Sequence, residues 1–291
     1  MWIELSLFSA CSKSASQILT KKLYDVDTLA IAAYSHVYAA LIILPLIFYT
    51  SIPVNSDFLV PASISVALNV LGIILLISAI KHSEISRAIP FLSLTPVFTI
   101  YLAYILRGEE LSGCSTSGIC LVVFGALGIE ARSFNDFIKL GGRRALGNNG
   151  TLLVIFVALI YSVSSVYDKT ATLASSPLAY VWFSLETRGL ILLFMLGVYV
   201  GFFAKPGNRA GTGKAELVIL FFIGMSYFFE AIFQMNALTT GNVAEVLAVK
   251  RLSILITSVA GFLMFRETFT KYRLTGAVTM VAGAMIIYLT Q

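Results

Sequence analysis

Apolar residues gather along this chain into ten long runs separated by short polar breaks, at 3–20, 28–49, 61–80, 86–106, 114–131, 151–171, 178–202, 215–237, 243–264 and 272–290. Each run holds roughly 18–24 residues, the length a helix needs to cross the hydrocarbon of a bilayer. The pattern predicts an all-α integral membrane protein of ten transmembrane helices. The longest polar breaks, 132–150 and 204–214, are rich in Gly, Arg and Lys and carry no pattern of a soluble domain.

Composition sharpens this reading. Hydrophobic residues make up 58% of the 291 and charged residues 12%, outside the range of soluble domains. The net charge of +5 resides mostly in loops, so it reads as topology-setting charge, and nucleic acid is not an expected partner. With alternating helices, the breaks after the first, third, fifth, seventh and ninth spans share one side. They hold Lys21, Lys22, Lys81, Arg132, Lys139, Arg143, Arg144, Lys205, Arg209, Lys214, Arg266 and Lys271. The other side offers little beyond Arg107 and Lys169, which predicts a multi-pass protein of the cell (inner) membrane with both termini on the non-cytoplasmic side. The opening Met-Trp-Ile-Glu has no basic stretch before its apolar run, so the first span reads as retained. Cys11, Cys114 and Cys120 show no CxxC spacing and read as inert packing residues.

Slid against itself by 158 positions, the chain aligns Glu109-Glu110-Leu111-Ser112 with Glu267-Thr268-Phe269-Thr270, Gly118 with Gly276, and Gly125-Ala126 with Gly283-Ala284. Two halves of five spans follow: 1–131, then a basic loop at 132–150, then 151–291. An odd number of helices per half inverts the second relative to the first, an arrangement that places a binding site between the halves near the midplane. Further signals are Ala88-Ile89-Pro90-Phe91-Leu92 through Thr95-Pro96, and Val249-Lys250-Arg251-Leu252-Ser253. An apolar helix ending in Gly-Glu-x-Leu-Ser or Arg-Glu-x-Phe-Thr, followed by a helix with Gly-x6-Gly, resembles the EamA domain of the drug/metabolite transporter superfamily. The resemblance covers residues 3–131 and 151–290 and implies ten helices as five plus five. It does not imply one substrate, since such proteins move amino acids, sugars, nucleotide sugars, amines or drugs. In the first span, Ser12-Lys13-Ser14-Ala15-Ser16 stands where that family often has an aromatic-Gly pair.

Ionisable side chains inside the spans mark the candidate site, because charge in hydrocarbon is costly. Lys13, His36, Glu186, Arg188, Glu230, Glu245, Lys250 and Arg251 all qualify. Counted from the non-basic side, Lys13, Asn69, Glu186, Arg188, Glu230, Lys250 and Arg251 lie at a common depth of roughly 10–16 Å, given the 1.5 Å helical rise. The expectation is convergence on one central cavity. Four cations against two carboxylates leave a surplus of two positive charges, or one if Glu245 reaches the layer, which favours an anionic group. The alternative pairs Glu230 with Lys250 and Glu186 with an arginine as structural locks.

Tyr227, Glu230 and Gln234 share one face of the eighth span, and Trp182 and Glu186 stand one turn apart in the seventh. Ser9, Lys13 and Gln17 form a stripe in the first. His36 reads as bonded to a neighbouring helix. Pro90 and Pro96 predict kinks and freed carbonyls in the fourth span, a plausible hinge. Glu109 and Glu267 fall just past helix ends and read as water-solvated orientation or gating residues. Gly118, Gly125, Gly128, Gly276 and Gly283 allow close helix packing, within the chain or across a dimer.

No metal-ligand cluster, HExxH or GxSxG turn occurs, and neither cofactor nor metal is expected. Gly211-Thr212-Gly213-Lys214 lacks the first Gly and the final Ser or Thr of a phosphate loop. An enzyme and a channel are therefore the weaker readings. The stronger one is a secondary transporter of a small polar anionic or zwitterionic metabolite, an amino acid or organic phosphate, working by alternating access. Lys250 and Arg251 would bind its anionic group with Lys13 and Arg188 assisting, while Glu230 and Glu186 would take an amine or a coupling proton. Export of amines or drugs is the alternative within the class. The partners are a small molecule, possible coupled protons and the bilayer, for a monomer or homodimer.

Overall fold

Asp27 and Asn55 show how the sequence starts its helices. Asp27 accepts from the Leu29 amide at 2.8 Å and opens α2, while Asn55 accepts from the Phe58 amide at 3.0 Å and opens α3. This cap starts α3 five residues ahead of Pro61, where the apolar run alone had begun the span. The computed structural model describes residues 1–23, 25–82, 89–130, 149–202, 213–265 and 271–290. Within them lie α1 (Trp2–Thr20), α2 (Thr28–Ile43), α3 (Ser56–His82), α4 (Thr95–Arg107), α5 (Gly113–Glu130), α6 (Asn149–Leu173), α7 (Pro177–Phe202), α8 (Lys214–Thr240), α9 (Val243–Lys250), α10 (Leu252–Phe265) and α11 (Lys271–Leu289). All ten predicted spans are helical. Seven are long and apolar enough to cross a membrane, and two shorter apolar helices are Phe91–Arg107 and Gly113–Ile129. The first span is α1, less apolar because Ser6, Ser9, Ser12, Ser14, Ser16 and Lys13 interrupt it.

Two predicted spans are not continuous α-helices. The fourth opens as a 3-10 turn, Ile89–Leu94, and becomes α-helical at Thr95, with Pro96 in the first turn of α4. Proline is tolerated there because its missing N–H has no helical partner to serve. The Leu92 carbonyl, which the ring nitrogen of Pro96 cannot serve, accepts from the Thr95 hydroxyl at 2.7 Å. The ninth span breaks at Arg251, between α9 and α10. Under the 158-residue offset Arg251 corresponds to Ser93, within the 3-10 turn, so the two breaks fall within two residues of each other.

Serines seal both breaks in the same way. The Ser162 hydroxyl of α6 lies between Ala158 O (2.7 Å) and Thr95 O (2.9 Å). The Ser14 hydroxyl of α1 lies between Ala10 O (3.0 Å) and Ser253 O (2.9 Å). A hydroxyl shared this way gives a carbonyl at the break a donor that hydrocarbon could not, and Thr95 O takes a second from the Thr99 hydroxyl at 2.8 Å.

The most extensive packing pairs are α5 with α11, α3 with α6, and α1 with α8, followed by α2 with α7 and α8. Exchanging the first five spans for the last five maps α1–α8 onto α6–α3 and returns α2–α7 and α5–α11 to themselves. Between α5 and α11 the backbones nearly touch. A Cβ on Gly125 would meet Gly276 O at 2.6 Å, and one on Gly283 would meet Gly118 O at 2.6 Å. These glycines are used within the chain. Cys11 and Cys114 face outward and Cys120 is half-buried, so the first two do not pack in the interior as read from sequence.

Candidate functional site

Three polar groups lie inside the helical bundle, each assembled from several helices. The first centres on Glu230 of α8, a residue 8% exposed. Its Oε1 accepts from Lys250 Nζ at 2.6 Å and from Lys13 Nζ at 3.5 Å. Lys250, the last residue of α9, also donates to Gln234 Oε1, one turn along α8 from Glu230. A cation there sits at the negative end of a helix that stops inside the bundle. Lys13 lies 5.6 Å from the centre of the Tyr227 ring, an ammonium over an aromatic face. Serine contacts hold the register: Ser9 Oγ donates to Glu230 O at 3.1 Å, and Thr257 Oγ1 to Gln17 Oε1 at 2.9 Å. The stripe of Ser9, Lys13 and Gln17 thus faces α8 and α10. Side-chain exposure is 35% for Lys13, 18% for Lys250 and 11% for Glu230, so the two lysine side chains are partly accessible and the carboxylate is the most enclosed of the three.

Lys13, Tyr227, Glu230, Gln234 and Lys250 are therefore brought together. The other residues of the predicted layer are distributed elsewhere. Arg188 turns back on its own helix, donating to Ser184 O at 3.1 Å and to the Ser184 hydroxyl. Glu186 makes no ion pair with an arginine among the described residues, and its Oε1 is buried without a hydrogen-bond partner. Trp182 Nε1 lies 3.5 Å from Leu44 O and ties α7 to the end of α2. Arg251 is half-buried at the turn between α9 and α10. Glu245 does not reach the layer: it is buried in the first turn of α9, against Ser115 and Asn242. His36 bonds through Nδ1 to Ala32 O of its own helix at 2.8 Å, not to a neighbouring one, and packs its ring 5.0 Å from Tyr227.

The second group was missed by the sequence reading. Asp168 of α6 is 7% exposed, and its Oδ1 accepts from the hydroxyls of Ser65 in α3 and Tyr180 in α7. Asn69 belongs to this group and not to the Glu230 group, donating to Ser164 Oγ at 2.6 Å and Ser65 O at 3.0 Å. The signal lay in the i, i+4, i+8 spacing of Ser164, Asp168 and Thr172, one polar stripe on an apolar helix.

The third group closes a corner at the end of α4. Gly108, at φ +67°, caps that helix in the left-handed region, where glycine has no Cβ penalty. The turn directs Glu109 back over α6 and α9. Glu109 accepts from Lys169 Nζ at 2.6 Å, Arg107 Nε at 3.2 Å and the Val243 amide at 2.9 Å. Lys169 also donates to Gly241 O at 2.9 Å. Glu109 is thus buried in ion pairs and not solvated by interfacial water, and Lys169 is a buried partner and not a loop charge. Pro90 lies in the 3-10 turn before α4, whereas Glu267 falls outside the described residues.

A solved structure described as "Crystal structure of protein" superposes on this chain with a TM-score of 0.78 at 13% identity, covering 99% of this chain and 96% of that one. It shares the fold. No curated protein matches the chain. The family model described as the EamA-like transporter family matches residues 1–130 and 148–289. Nearly the whole of this helical membrane chain is thereby accounted for, and it belongs to the EamA-like transporter family, within the drug/metabolite transporter superfamily.

Proposed function

We propose that this chain is a secondary transporter that moves a small anionic or zwitterionic metabolite by alternating access between two inverted five-span halves, 1–131 and 151–291. The observation that carries the reading is the Glu230 group. Two ammoniums, Lys13 and Lys250, share one carboxylate, leaving one positive charge uncompensated among the three side chains, and both lysines remain partly accessible. A site that excess cation occupies inside a bilayer favours an anion such as a carboxylate or phosphate. For a zwitterion, the buried Glu186 Oε1 without a donor supplies an acceptor for an ammonium. That oxygen also favours the second reading, transport of amines.

The broken spans support the same mechanism. Half-helices ending inside a bundle are where transporters of inverted design hold their cargo. Here Lys250 and Arg251 sit at such a break, and the corresponding break precedes α4. The symmetric packing of α1–α8 and α3–α6 supports the two-half division and a hinge at the Pro96 break. The basic loops support a cell (inner) membrane protein with both termini on the non-cytoplasmic side. Use of the α5 and α11 glycines within the chain supports a monomeric transport unit.

The test is the thermal stability of the detergent-purified protein against amino acids, organic phosphates, carboxylates and amines, with Lys250→Ala in parallel. A ligand at about 100 times its Kd stabilises the folded state by about 2.7 kcal/mol. Stabilisation of the parent and not the variant by anionic or zwitterionic compounds is the expected result. Stabilisation of both by amines alone overturns it in favour of amine transport.

A further inference from the structure

We propose that Glu230 is a tethered competitor of the cargo: its carboxylate fills the seat between Lys13 and Lys250 in the empty transporter, and the cargo's anionic group enters by displacing it. This rests on the anionic-cargo reading above and adds to it the residue that the cargo replaces.

One oxygen defines the seat. Glu230 Oε1 lies 2.6 Å from Lys250 Nζ and 3.5 Å from Lys13 Nζ, ammoniums that α9 and α1 deliver to a residue of α8. The first contact has the length of a charge-assisted hydrogen bond, and the second is longer. A free carboxylate or phosphate oxygen at the same place meets the same two donors. Each ammonium also has a second, uncharged holder. Lys250 donates to Gln234 Oε1, and Lys13 stands 5.6 Å from the centre of the Tyr227 ring. Both therefore stay aimed at the seat when the carboxylate leaves it. The backbone of Glu230 is fixed separately, its carbonyl accepting from Ser9 Oγ at 3.1 Å, so displacement turns the side chain and leaves α8 in register with α1.

Glu109 shows how a carboxylate is held when it serves as a lock. It accepts from Lys169 at 2.6 Å, from Arg107 at 3.2 Å and from the Val243 amide at 2.9 Å, so a main-chain donor ties it to the fold. The ion pairs of Glu230 among the described residues are with two lysine tips on flexible stems, one of them 35% exposed. Such partners can be handed to another anion.

Charge selects the visitor. With Glu230 seated, the three side chains sum to +1, which attracts an anion, whereas an uncharged molecule gains nothing from the two ammoniums. Two ammoniums facing each other across a vacated seat inside a bilayer are costly. Glu230 keeps the seat filled when no cargo is present, and occupancy by Glu230 and by cargo exclude one another.

The experiment uses inorganic phosphate as the probe on the detergent-purified full chain at constant ionic strength. Binding is measured by isothermal titration calorimetry for the parent, for Glu230→Gln and for Glu230→Gln combined with Lys250→Met. Infrared difference spectra are recorded with and without saturating phosphate. The expected Kd of Glu230→Gln is lower than the parent's by at least about tenfold, the factor that follows when the parent's seat stands open at most about one-tenth of the time. The double variant loses binding. In the parent, phosphate shifts a carboxylate stretching band, because the Glu230 oxygen gives up its two ammonium partners, and that shift is missing from Glu230→Gln. Should Glu230→Gln not fold, Glu230→Asp takes its place: the shorter side chain withdraws from the seat but keeps its charge, and phosphate again binds more tightly than to the parent. Loss of charge acting through space would tighten binding and leave the parent's band where it is. An unmoved band in phosphate-bound parent, or variants that bind no more tightly, overturns the proposal while the anionic-cargo reading stands. Absence of phosphate binding from parent and variants alike also overturns it, whereas that reading falls only if the ligand panel above fails to stabilise the parent.

Discussion

Replacing Glu230 with Gln keeps the shape of the central group and removes its one carboxylate. Lys13 and Lys250 both lie against Glu230 Oε1, at 3.5 and 2.6 Å, so their ammoniums stand no more than about 6 Å apart. At an effective dielectric of about 20, two unit charges at that distance repel by about 3 kcal/mol. Lys13 is 35% exposed and relieves part of this by swinging outward, leaving a net loss of about 2 kcal/mol. For chains of this size each kcal/mol moves the melting temperature by about 2–4 °C, so Glu230→Gln is expected to melt at least about 4 °C below the parent. Adding Lys250→Met removes one of the two opposed charges and should recover most of that loss. Thermal unfolding in detergent, followed by the fluorescence of Trp2 and Trp182, reads both steps. The reasoning is refuted if Glu230→Gln melts with the parent, or if the double variant melts below the single one.

Glu109→Ala strands Lys169 in a corner where its side chain is 10% exposed, with an expected cost of about 3 kcal/mol measured by the same unfolding assay. Gly125→Leu drives side-chain atoms into Gly276 O and should cost about 1–3 kcal/mol or prevent folding. Gly197→Leu, where no atom lies within 4 Å of the added Cβ, should leave the melting temperature unchanged. Ser14→Ala and Ser162→Ala each remove one inter-helix hydrogen bond at a helix break and should destabilise by about 0.5–1.5 kcal/mol, with Ser162→Ala at the lower end because Thr95 O keeps the Thr99 hydroxyl at 2.8 Å, as read by the same unfolding assay.

Helix placement was legible because lipid forces each backbone polar group into a helix, so apolar run length alone reports a span. The positions of the breaks were half legible. Pro96 announced one, whereas the break at Arg251 has no proline and depends on Ser14 from a helix far away in sequence. Among site residues, Glu230, Gln234 and Lys250 were found from depth and helical face, both local properties. Asp168 and Lys169 escaped because they sit near the end of an apolar run, where charge is ordinarily solvated. Their burial is set by Tyr180, by Ser65 and by the turn at Gly108, which bring other helices over them. Asn69 shared the predicted depth but not the side of the bundle, since depth along a helix carries no information about which neighbour it faces.

Exchange across a membrane tests the central claim most directly. The purified protein is reconstituted into liposomes preloaded with the compound that stabilises it, and entry of the labelled compound is followed for the parent and for Lys250→Ala. The account predicts saturable entry accelerated by the internal compound and lost in the variant, with the compound recovered chemically unchanged. Entry that rises linearly with concentration, or equal exchange by the variant, would contradict it.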